Sequence, residues 1–147
     1  VNFIYNDTVL LFGKKFHYQY LPTFRVHLPF DNQAIHTWHY DSDQLHRHPI
    51  GEINIWLPLT RCYRTNTMWI ESEPFKLDFK PLEGGYGDFW INNGNVCIHG
   101  NKPNKTNLTR VSFDFRIMPV SKYDPTWNVD SPTSHTKFVI GEYYKEL

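Results

Sequence analysis

The sequence predicts an all-β fold, a jelly roll or sandwich with few or no helices, and three observations carry that prediction. Short runs rich in aromatic and β-branched residues recur from Phe24 onward. Turn-forming residues stand between them, with 10 prolines and 17% aromatic residues among 147 positions. No stretch longer than about ten residues has helical periodicity, whereas period-two alternation is plain in the best segments.

Taken in order, Phe24-Arg25-Val26-His27-Leu28 and Ile35-His36-Thr37-Trp38-His39-Tyr40 read as strands, punctuated by Pro29 and Asp31-Asn32. Glu52 to Leu57 alternates, which places Ile53, Ile55 and Leu57 on one face and Glu52, Asn54 and Trp56 on the other. Thr67 to Ile70 and Phe75 to Phe79 are expected to be further strands. Gly84-Gly85-Tyr86-Gly87 marks a tight turn before Asp88-Phe89-Trp90-Ile91. Asn92-Asn93-Gly94-Asn95 is a hairpin-type turn that leads into a strand ending at His99. A polar loop spans 100–107, and the clearest strand of the chain, Thr109 to Ile117, follows it. Strict alternation puts Val111, Phe113, Phe115 and Ile117 on one face and Arg110, Ser112, Asp114 and Arg116 on the other. If Arg110 and Ser112 face the interior, Asp114 and Arg116 do too, so those charges must pair with each other or with Arg25, or the strand must bend. Residues 120–137 read as a loop, and 138–145 as a closing strand or a short helix.

Composition removes several function classes. A chain of 147 residues is expected to be one domain, 1–147. Fifteen basic residues balance fifteen acidic ones, so there is no basic field for nucleic acid. No apolar run approaches the roughly 18 residues of a spanning helix, so no membrane partner is expected. The start at Val1-Asn2-Phe3 has no basic leader region, which points to a processed chain or the core of a longer one and to a cytoplasmic location. Cys62 and Cys97 are too few and too far apart for a disulfide framework, and Cys97 reads as a small buried hydrophobe. Asn104-Lys105-Thr106 fits the glycosylation sequon and is read as ordinary loop sequence.

Two separated segments carry metal-ligand chemistry. In extended chain His39 and Asp41 share a side, because residues i and i+2 do. His99 supplies a second histidine, and two histidines with one carboxylate and open positions form the facial triad of non-haem Fe(II) oxygenases. Arg110 and Ser112, on one face of the following strand, offer a guanidinium fork and a hydroxyl to an acidic co-substrate.

With these residues the chain resembles the Fe(II)/2-oxoglutarate-dependent oxygenases of the phytanoyl-CoA dioxygenase-like group over roughly 35–118. Trp38-His39-Tyr40-Asp41 is similar to that group's Trp-His-x-Asp segment, and His99 with Arg110 matches the spacing of its distal histidine and co-substrate arginine. A narrower resemblance is to StrG-type proteins of aminoglycoside biosynthesis clusters, carried by Gly51 to Thr60, Thr65 to Glu73, His99-Gly100-Asn101 and Thr109 to Tyr123. These resemblances imply a double-stranded β-helix (a cupin-like jelly-roll barrel), with His39, Asp41 and His99 as both iron ligands and catalytic centre. They imply 2-oxoglutarate held by Arg110 and Ser112 and contacted by Trp56 and Asn101. The implied reaction converts 2-oxoglutarate and dioxygen to succinate and CO2 while a small polar substrate, a sugar or aminoglycoside precursor, is hydroxylated. A homo-oligomer is compatible with all of this.

Two rival readings stay open. His46-Arg47-His48-Pro49-Ile50-Gly51-Glu52 fits the His-x-His-x3-Glu core of the cupin motif, without its flanking glycines, and with His99 would make a metal-dependent isomerase. Trp38, Trp56, Trp69 and Trp90 would suit a non-catalytic sandwich that stacks on sugars. His36 is expected at a pocket wall or the surface, and Arg25 and His27 in substrate contact or an ion pair. Asn54 is favoured over Asn66, Trp69 and Glu71 as a pocket residue, because it shares a face with Trp56.

Overall fold

In the computed structural model the described residues are 15–31 and 37–146, and they form nine strands. In chain order these are β1 (Phe16–Gln19), β2 (Thr23–His27), β3 (Ile53–Pro58), β4 (Met68–Ile70), β5 (Lys80–Pro81), β6 (Trp90–Asn92), β7 (His99–Asn101), β8 (Arg110–Pro119) and β9 (Tyr144–Lys145). The all-β expectation holds. Helical structure among the described residues is confined to two 3-10 turns, Arg64–Asn66 and Val120–Lys122. None is long and apolar enough to cross a membrane.

The strands make two antiparallel sheets, neither closed on itself. The larger has the order β6-β3-β8-β1-β9, with β2 also on β8, and the smaller the order β5-β4-β7. β8 is the spine of the larger sheet. Its first half pairs with β2 (His27↔Arg110 to Thr23↔Asp114), its second half pairs with β1, and its other edge pairs with β3 (Ile53↔Ile117 to Pro58↔Ser112).

The alternation of β8 is realised as predicted. Phe115 and Ile117 join Phe16 and Ile55 in one apolar cluster, backed by Ile53 and Leu57 from β3. The opposite face carries Arg110, Ser112, Asp114 and Arg116, with Asn54 and Trp56 of β3 beside them. Trp56 then packs into a second cluster with Cys62, Ile70, Leu82 and Cys97, so both cysteines are buried and free.

Several expected elements differ. Phe75 to Phe79 is not a strand: Phe75 and Leu77 have φ of 60° and 59°, and their amides, with that of Ile98, donate to the Glu71 carboxylate at 2.9, 3.0 and 2.6 Å. A buried carboxylate that takes three backbone N–H groups replaces the ladder that a strand would have needed. Glu71 is thus a loop clamp and not a pocket residue. The segment before His99 is a turn, and His99 opens β7 instead of ending a strand. The closing segment is the two-residue β9. His36 and the start of the predicted strand 35–40 lie outside the described residues. Asn104 is fully buried: its side-chain amide donates to Leu108 O and His27 O, and its Oδ1 accepts from Thr106, so it caps the 100–107 loop.

Candidate metal centre

His39 and His99 come from segments remote in sequence and meet through one antiparallel bridge. In an antiparallel pair the opposed side chains share a face, which sets both imidazoles on one side. Asp41, two residues along, is fastened by its amide to Gly94 O at 3.0 Å and points the same way. The three donor atoms lie within 4.8 Å of one another, and Asp41 Oδ1 is 3.7 Å from His39 Nε2 and 3.6 Å from His99 Nε2.

The tautomers follow from the backbone. His39 Nδ1 is 2.8 Å from Thr37 O, and His99 Nδ1 is 3.1 Å from Cys97 O. A carbonyl oxygen only accepts, so each Nδ1 carries a hydrogen and each Nε2 is the ring atom turned toward the cluster. Burial, followed by the neighbouring His99, pushes His39 down to about 4, so it is neutral at physiological pH. Burial opposes ionisation of Asp41, yet the Arg116 guanidinium, then His99, His48 and the Asn54 amide, hold its carboxyl well below the usual range. Two imidazoles and one carboxylate on a common face are a donor set that could hold a divalent ion.

The polar face of β8 resolves its charges by pairing. Arg25 Nε meets Asp114 Oδ1 at 2.5 Å, Arg116 Nη1 meets Asp114 Oδ2 at 3.0 Å, and Arg116 Nη2 meets Asp41 Oδ2 at 2.9 Å. The result is a chain of alternating sign, partly exposed at Arg25 and buried at Arg116 and Asp41, that ends on the triad. Arg25 is an ion-pair residue in it.

Arg110 differs from the other arginines. It is 2% exposed, its Nη1 donates to Asn101 Oδ1 at 2.6 Å, and its Nε has no partner. Among the described residues no carboxylate forms an ion pair with it, and burial lowers its pKa to about 10. Ser112, two positions along on the same face, is also buried with its hydroxyl unpaired. Arg110, Asn101 and Trp56 line an inner cavity that reaches His39 and His99. A second, more open cleft of about 670 Å³ is bordered by His39, Asp41 and Arg116, by Thr23, Thr37, Ser131, Thr133, Ser134 and Thr136, and by apolar Leu21, Leu45 and Phe138. Arg116 borders both spaces.

The His46 and His48 alternative is not assembled. His46 Nδ1 is 2.8 Å from Asp43 and its ring stacks on His39, while His48 Nδ1 is 2.7 Å from Glu52, whose other oxygen accepts from Tyr144. The triad is the one group of three potential ligands among the described residues. The four tryptophans of the sugar-stacking reading do not share a surface. Trp56 is buried, Trp69 lies under the Lys102 ammonium at 3.2 Å, and Trp38 packs edge-on to Phe79.

Reading the sequence missed Arg116, Gly94 and Gly100 as site residues. A Cβ on Gly94 would lie 3.0 Å from Asn54 Nδ2 and 3.1 Å from His99 Cε1, and one on Gly100 would lie 2.8 Å from the Trp38 ring. The Gly94 turn and the His99-Gly100 pair held a visible signal, since glycine is where backbone or ring comes closest.

No family model matches the chain. It aligns at 40% identity over 126 residues with one curated protein, taking in 86% of this chain and 58% of the other. That relative is the streptomycin biosynthesis protein StrG of Streptomyces griseus. The chain therefore spans less than two thirds of the length of StrG. Solved structures share the fold at low identity. The nickel complex of the non-heme monooxygenase ThoJ matches with a TM-score of 0.60 at 16% identity, covering 79% of this chain and 49% of ThoJ. AviO1 from Streptomyces viridochromogenes Tue57 matches with a TM-score of 0.59 at 15% identity, over 82% of this chain and 59% of AviO1. EvdMO1 matches with a TM-score of 0.57 at 16% identity, over 80% of this chain and 30% of EvdMO1.

Proposed function

We propose that the chain is the single-domain core, 1–147, of a biosynthetic non-haem Fe(II)- and 2-oxoglutarate-dependent oxygenase that hydroxylates a small polar, sugar-derived molecule. The observation that carries this reading is the convergence of His39 Nε2, His99 Nε2 and Asp41 Oδ1 beside a buried arginine that has no carboxylate partner among the described residues. The two open sheets are read as the faces of a double-stranded β-helix.

The residues fit both absent groups. His39, Asp41 and His99 would hold the iron, and three protein donors leave three positions of an octahedron for other ligands. The orphaned Arg110 Nε and Ser112 Oγ suit a carboxylate, since buried polar atoms without partners are costly and few in native proteins. In this reading Arg110 forks onto the far carboxylate of 2-oxoglutarate and Ser112 adds its hydroxyl. Asn101 fixes the guanidinium through its 2.6 Å bond, and Trp56 forms the dry wall of the cavity. When bound, iron and 2-oxoglutarate supply the oxidation by dioxygen of a C–H bond that no side chain could attack.

The wider cleft bordered by His39 and Asp41, with six serine and threonine residues in its lining, is the substrate entrance in this reading. Its chemistry suits a polyol, as does the likeness to a streptomycin biosynthesis protein. Purified chain with Fe(II) is expected to convert 2-oxoglutarate to succinate, with Arg110→Ala losing 2-oxoglutarate binding. Failure of the intact triad to bind either iron or 2-oxoglutarate would sink the proposal.

A further inference from the structure

We propose that Arg116, assisted by Asn54, is a positioning residue that confines Asp41 to one metal-facing oxygen and so keeps open a coordination position that a two-oxygen carboxylate would fill. The inference rests on the metal-centre reading above and adds a role for residues that bind no metal themselves.

The two oxygens of Asp41 have unlike surroundings. Oδ2 accepts from Asn54 Nδ2 at 2.6 Å and from Arg116 Nε at 3.0 Å, and Arg116 Nη2 stands 2.9 Å from it in the ion pair. Two N–H donors occupy both lone pairs of that oxygen, and the guanidinium charge on that side repels a cation. Oδ1 instead faces the two imidazole Nε2 atoms. Carboxylates otherwise pass readily between one-oxygen and two-oxygen binding of a metal.

The donors that enforce this asymmetry are themselves fixed. Asn54 and Arg116 stand directly opposite each other on β3 and β8, so both side chains reach Asp41 from one sheet. Arg116 is held from behind by Asp114, which is held in turn by Arg25. Its backbone N–H also donates to Gln19 Oε1 at 3.0 Å. The arginine therefore has one orientation, and the carboxylate inherits it. A chelating co-substrate and dioxygen together need three positions, which a two-oxygen Asp41 would reduce to two.

The test counts the water molecules bound to Mn(II) in the loaded protein, from the broadening of its electron paramagnetic resonance lines in 17O-enriched water. The unaltered chain is expected to show three, Arg116→Met two, and Arg116→Lys, which returns a cationic donor to Oδ2, three again. Three waters in Arg116→Met would overturn the inference. Two waters in the unaltered chain would overturn it while leaving the metal centre intact, and absence of Mn(II) binding by the unaltered chain would overturn both readings. If Arg116→Met does not fold, the crystal structure of the Mn(II)-loaded unaltered chain decides. Asp41 bound through Oδ1 alone, with Oδ2 still on Arg116 and Asn54, supports the inference, and two Mn–O contacts from Asp41 refute it.

Discussion

His39 and His99 exchange both of their backbone hydrogen bonds, His39 N to His99 O at 3.1 Å and His99 N to His39 O at 2.8 Å, so the two histidines are paired through main chain before either meets an ion. The neighbouring pair is just as close: the Trp38 ring lies against the Gly100 backbone. Gly100→Ala places a methyl 2.8 Å from that ring and must push the bridge apart. Overpacking of this kind costs about 1–3 kcal/mol. The variant is expected to melt at a lower temperature and to bind Mn(II) more weakly, as read by thermal denaturation and metal titration.

The three members of the triad differ in how the fold itself uses them. Asp41 is the main partner of a buried guanidinium, whereas the His39 side chain is partly exposed and bonded only to backbone. Removing one member of a buried ion pair costs about 3–5 kcal/mol. Asp41→Ala should therefore lose both metal binding and much of the apo stability, while His39→Ala loses metal with a small change in denaturant midpoint. Equal midpoints for the two would contradict the buried pairing.

His46→Ala separates the two metal readings. His46 is bonded to Asp43 and stacked on His39, outside the three-donor group. Mn(II) stoichiometry is expected to stay at one per chain in this variant, and its loss would favour the His46, His48, Glu52 set.

Arg110 makes a stability claim as well as a binding one. A buried cation with an unpaired Nε weakens the metal-free fold, and an unsatisfied buried group costs about 1–3 kcal/mol. Arg110→Met is expected to raise the denaturant midpoint of the apo protein while abolishing stabilisation by 2-oxoglutarate. A lower midpoint would show that the guanidinium is structural.

His27 gives a pH dependence. It is fully buried beside Arg110, and burial, followed by the arginine's charge, lowers its pKa despite Asp31. The unfolded chain takes up a proton near the ordinary value of about 6.5 while the folded chain resists it, so stability should fall as pH drops below that value. His27→Phe should flatten that slope in denaturation curves at pH 7 and pH 5.

The sequence made some of this legible and hid the rest for physical reasons. Alternation announced β3 and β8, because a sheet with one apolar face writes a period of two into the chain. The ligands were visible as His39, Asp41 and His99 only with a resemblance, since residues 39 and 99 are joined by a bridge that no local pattern encodes. Phe75 to Phe79 misled because its aromatic spacing is that of a strand, while its amides are claimed by Glu71, a contact from outside the segment. Arg116 stood in the sequence as an electrostatic problem, and its answer lay in Asp41, far away in the chain.

β8 carries Arg110, Ser112, Asp114 and Arg116 of the site on one side and a main part of the apolar core on the other. A slip of one residue in its pairing would bury Arg110 and Arg116 in oil and turn Phe113 and Phe115 toward the triad. Misregistered chains thus have neither a stable core nor a ligand-binding wall, so the arrangement proofreads itself: a molecule that has folded wrongly is also one that has not been armed.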